Sequence, residues 1–94
     1  MMHTLIQESE PASVQLAELR HLCATGAARA IRQGANLMLT DLARDVAVSK
    51  STIARWESGD VRPTGTAALS YLRILRRLEQ RSRQFGAALT RATS

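Results

Sequence analysis

Four polar residues stand close together in this chain: Lys50, Ser51, Thr52 and Arg55. A helix starting after Ser49 would place Ile53 and Trp56 on one side, three positions apart, and Lys50, Ser51, Ala54 and Arg55 elsewhere. The outward face then sets two long cations beside small side chains, with Thr52 at its edge. Such a face suits close approach to base edges in a duplex groove about 12 Å wide, where a bidentate arginine–guanine contact discriminates by about 1–3 kcal/mol. The plainer alternative is two solvated charges on an exposed helix. Ser51 and Thr52 either reach bases or phosphates or simply favour a first helical turn. Ser49 supplies an N-cap oxygen, and its backbone neighbourhood is a candidate phosphate contact.

Other chemistries find little support. His3, His21 and Cys23 have no metal-ligand spacing, and no glycine-rich phosphate loop or nucleophile–base arrangement is present. The expectation is a protein that is not an enzyme, with no metal, no cofactor and no small-molecule ligand. The lone Cys23 excludes an internal disulfide and reads as a buried thiol. No apolar stretch approaches the roughly 20 residues needed to cross a bilayer, and nothing resembles a signal peptide, so a cytoplasmic protein is expected.

The net charge of +5 favours a polyanionic partner. Its distribution is uneven: residues 1–61 carry six basic and seven acidic side chains, and residues 62–94 carry seven arginines and Glu79. Aromatic residues are limited to Trp56, Tyr71 and Phe85. Alanine and leucine supply most of the apolar content, and both favour helices. At 94 residues the chain has room for one small core. The composition predicts an all-α, compact four- to five-helix domain.

Residues 1–10 lack a sustained period and read as a flexible arm, residues 11–89 as a single helical domain, and residues 90–94 as a tail. Val14, Leu16, Leu19, Leu22 and Cys23 give a helix from Pro11 to near Ala24 one apolar side. A further helical stretch, Ala27 to about Gly34, places Ala27, Ala30 and Ile31 together. The residues leave open whether 11–34 is two helices or one bent helix at Thr25–Gly26. Asn36 suits a left-handed terminus.

Leu39 to Val46 reads as a short helix with Leu39, Leu42, Ala43 and Val46 inward. A tight turn through Ala47 and Val48 leads to the helix Lys50–Ser58, which Gly59 stops. A long final helix, about 65–89, is capped by Thr64 or Thr66. Its inward stripe is Ala68, Leu69, Leu72, Leu75 and Leu78, flanked by Tyr71 and Ile74. Arg73, Arg76 and Arg77 form one ridge on it. That ridge contacts DNA, pairs with an acidic partner or is simply solvated.

The run LMLTDLARDVAVSKSTIARWESGDVRP, Leu37 to Pro63, resembles the phage repressor and Cro-type helix-turn-helix regulators. The resemblance is carried by Leu42-Ala43, Val48-Ser49, Ser51-Thr52-Ile53, Arg55-Trp56-Glu57, Gly59 and Pro63, with Ile31-Arg32 and Leu37 upstream. It covers roughly residues 26–78, with the helix-turn-helix at 39–58. Two positions depart from the family. Met38 stands where Ser or Thr usually caps the first motif helix, and Leu39 stands where a glutamine often touches a phosphate.

The resemblance implies a sequence-specific, double-stranded DNA-binding transcriptional regulator. Lys50, Ser51, Thr52 and Arg55 are then base-reading candidates, and Thr40, Ser49 and Arg62 are phosphate-contact candidates. Arg32, Leu42, Ala43, Ile53, Trp56, Glu57 and Gly59 are structural support, with Glu57 paired to Arg32 or Arg29. One helix reads few base pairs, so a repressor binding a palindromic operator as a homodimer is expected. Leu75, Leu78, Phe85 and Leu89 are candidate dimer contacts. Two other readings stay open: a DNA-binding antitoxin with a toxin partner, and a protein-interaction module that has lost DNA binding.

Overall fold

The computed structural model describes residues 10–93, with side chains placed through Phe85. The expected arm and the Leu89 contact therefore lie outside the described backbone or side chains, apart from Glu10. The described residues form a compact all-α domain of five helices. They are α1 (Ala12–Thr25), α2 (Ala27–Gly34), α3 (Leu39–Val46), α4 (Lys50–Ser58) and α5 (Gly65–Thr93). None is long and apolar enough to cross a membrane.

Residues 11–34 are two helices. Gly26 adopts φ +84° and its N–H bonds to the Cys23 carbonyl at 3.2 Å, ending α1. A side chain is disfavoured in that left-handed conformation, so glycine suits the break. Leu19 and Cys23 are the buried residues of α1, whereas Val14 is exposed and does not join its inward side. In α2 the buried residues are Ala28 and Arg32, and Ala30 faces solvent. The expected Ala27–Ala30–Ile31 face is thus rotated. A buried ion pair, described below, turns Arg32 inward.

Asn36 closes α2 with φ +59°, and the Leu37 N–H reaches the Arg32 carbonyl at 3.1 Å. Helix α3 buries Leu42 and Val46 and leaves Leu39 and Ala43 half-buried. It ends on Ala47 at φ +61°, a left-handed conformation that costs a non-glycine residue roughly 1–2 kcal/mol. The chain turns sharply there and enters α4 after two residues.

Helix α5 begins at Gly65, between the two threonines proposed as caps, and continues to Thr93. Residues 90–93 are therefore helical and not a tail. Tyr71 is fully buried beside Ala68, Leu72 and Leu75, while Leu69 and Leu78 are only half-buried. The inward stripe is centred on Tyr71 because the phenol has an acceptor inside the core. At about 1.5 Å per residue the 29 residues of α5 span roughly 44 Å. Its first half packs against α1, α2 and α3.

Candidate nucleic-acid interface

Helix α4 is held at both ends and along one side. At its N-terminus Ser49 Oγ accepts the Thr52 N–H at 3.1 Å. The Thr52 hydroxyl lies 2.9 Å from the same oxygen, so the two hydroxyls engage each other at the cap. Gly59 ends the helix at φ +85° with its N–H on the Trp56 carbonyl. Ile53 is 0 % exposed and Trp56 is buried, stacked on Tyr71 at a centroid distance of 6.1 Å. Burying a side chain of Ile53's kind contributes roughly 1.5–3 kcal/mol, so these two fix which way the helix faces.

Glu57 is the third inward residue, 5 % exposed. Arg32 donates to it twice, Nε to Oε2 at 2.7 Å and Nη2 to Oε1 at 3.0 Å. Tyr71 Oη donates to Oε2 at 2.7 Å, and Arg29 Nε approaches Oε1 at 3.5 Å. Arg32 Nη1 also donates to the Leu37 carbonyl at 2.9 Å, tying the α2–α3 junction into the same cluster. Burial pushes the Glu57 carboxyl up, but the hydrogen bonds from Arg32 and Tyr71 and the guanidinium charge outweigh it. The carboxyl is held below the ordinary range. The expected pairing to Arg32 or Arg29 is met by both arginines, and the tyrosine is an addition.

The opposite face of α4 is open. Lys50, Ser51 and Arg55 are exposed, Ala54 is half-buried between them, and no ion pair is found for Lys50 or Arg55 among the described residues. Beside this face lies a cleft of roughly 580 Å³, lined by Lys50, Ser51 and Ala54 and by Leu37, Met38, Leu39 and Thr40. Thr40, Ser49 and Arg62 are exposed. Met38 offers no cap to α3, yet Asp41 Oδ2 accepts the Met38 N–H at 3.0 Å and satisfies one donor.

The arginine ridge of α5 divides. Arg76 turns to α1, pairing with Glu18 and, at 3.1 Å, with Glu10. It clamps the first helix to the last and is not free for DNA. Arg73 and Arg77 are exposed. Arg20 of α1 bonds the Pro63 carbonyl at 3.1 Å, fixing the loop after α4. Of the dimer candidates, Leu75 is 1 % exposed and belongs to the protomer's own core, which removes it from any surface open to a second copy. Leu78 is half-buried and Phe85 is 68 % exposed. Cys23 is buried, and no cluster of three metal-ligating side chains occurs among the described residues.

Two short helices joined at Ala47–Ser49, the second braced from behind and open in front, define a helix-turn-helix DNA-binding protein. The chain belongs to the helix-turn-helix family, whose model matches residues 29–79. The match takes in α3, α4 and the first half of α5, and it supports a DNA-binding regulatory function. No curated protein and no solved structure matches the chain.

Proposed function

We propose that the protein is a transcriptional repressor that occupies an inverted-repeat operator as a homodimer, inserting α4 of each copy into the major groove. The observation that carries this reading is the two-sidedness of α4: Ile53, Trp56 and Glu57 are buried while Lys50, Ser51 and Arg55 are open to solvent. In this arrangement Arg55 and Lys50 meet base edges, Ser51 approaches a base or sugar, and Thr52 serves chiefly the cap. Thr40, Ser49 and Arg62 take phosphates and set the register.

Homodimeric use follows from the short reach of one recognition helix, because specific sites are read by two copies about one helical turn apart, roughly 34–36 Å. The surface favoured for pairing is the groove lined by Ile31, Leu37, Leu78 and Phe85 together with the charged Glu79 and Arg81. It lies where α5 runs on past its packed half.

Selection of bound DNA from a random duplex pool tests the proposal. Enrichment of an inverted repeat supports it. Recovery of unrelated sequences, or of none, contradicts it.

A further inference from the structure

Met38 is an apolar group on the side of the molecule that carries the open face of α4. The residue is 66 % exposed and takes no part in the core. With Leu37 and Leu39 it lines the cleft beside Lys50, Ser51 and Ala54 of α4, and the polar Gln33 and Asn36 line the same cleft. The other exposed large apolar side chains among the described residues, Val14, Val61 and Phe85, do not line this cleft.

Methionine cannot donate to a phosphate or to a base acceptor. The major-groove edge carries hydrogen-bonding groups almost throughout, and its apolar feature is the C5-methyl of thymine. An unbranched, polarizable side chain adapts to such a group better than a branched one. Lys50, lining the same cleft, is placed to hold the neighbouring phosphate or base edge, so charge and apolar surface meet at one place.

We propose that Met38, with Ala54 of the same cleft, reads a thymine methyl in each half-site beside the bases met by Lys50 and Arg55. This rests on α4 being the helix that enters the groove. It assigns sequence preference to the first motif helix through an apolar contact, at the positions where the chain departs from the family pattern.

The test uses the full chain and its pool-selected site. Each thymine is replaced singly by deoxyuridine, which lacks only the methyl group. At one position per half-site this weakens binding about fourfold, the equivalent of one buried methyl. Met38→Ala then binds the thymine and uracil sites nearly equally, Met38→Ser does the same while supplying a helix cap, and Met38→Leu keeps part of the preference. Indifference to uracil at every position, or a preference that survives in Met38→Ala and Met38→Ser, overturns the proposal and leaves α4 as the reading helix. A pool that enriches no sequence overturns both.

Discussion

Arg32 and Glu57 form a two-pronged pair between α2 and α4, with nitrogen–oxygen distances of 2.7 and 3.0 Å. The side chains are 10 % and 1 % exposed, so the helix that presents Lys50 and Arg55 is anchored from behind by charge as well as by Ile53 and Trp56. Removing one partner strands the other. Glu57→Ala leaves Arg32 buried without its carboxylate, holding only the Leu37 carbonyl, and leaves the Tyr71 hydroxyl unpaired; it should cost about 3–5 kcal/mol in chemical denaturation. The double variant Arg32→Met with Glu57→Leu should be less damaging than either single change, because no lone charge remains.

The same cluster makes stability sensitive to acid. The folded Glu57 carboxyl titrates below its unfolded value, so its contribution is complete above the unfolded value and is lost as pH falls through the folded one. Denaturation midpoints should drop on acidification, and the drop should shrink in the Arg32→Met, Glu57→Leu double variant.

At the alkaline end the sign reverses. Burial, assisted by the Glu57 charge, pushes the Cys23 thiol up to about 11. Burial and the bond to Glu57 raise the Tyr71 phenol as well. The unfolded chain releases these protons first, so stability falls as pH rises above the unfolded thiol value and on towards 11. Cys23→Ala should flatten part of that decline, and native Cys23 should resist alkylation at pH values where the denatured chain reacts.

Met38→Ser should complete a capping arrangement with Asp41 at the start of α3. A serine oxygen would add a side-chain acceptor for the first turn of α3, where the Asp41 N–H now reaches only the Met38 carbonyl at 3.1 Å, and the expected gain in thermal unfolding is about 1 kcal/mol. An unchanged or lower midpoint would mean that α3 already satisfies its first turn by other means.

Phe85→Glu should shift the sedimentation of the chain towards monomer at micromolar concentration while leaving helical circular dichroism unchanged. A charge there opposes pairing through the α5 groove but touches nothing in the described protomer core. A variant that remains dimeric would place the pairing surface elsewhere.

Much of this architecture was legible in the sequence because short-range chemistry specifies it. Ser49 announces a cap, Gly59 a stop, and the spacing of Ile53 and Trp56 a buried side. The α2 face was not legible: Arg32 looks like a surface residue until Glu57 is known to lie opposite, 25 positions away. The helical period puts Tyr71 only at the flank for the same reason, its hydroxyl partner being distant in sequence. Ala47 carries no local sign of its left-handed backbone. The direction of Arg76 depended on Glu10 and Glu18 across the α1–α5 contact, which no period reveals.

If the open face of α4 reads DNA sequence, equilibrium titration of a selected operator and its single-base variants at fixed salt will register it. Arg55→Ala should lose about 1–3 kcal/mol at the base it meets and bind the variants at that position alike. Arg62→Ala should instead weaken binding to all variants evenly and lower the salt slope by about one. An Arg55→Ala protein that ranks the operator variants as the wild type does would mean that α4 does not read the sequence through this residue.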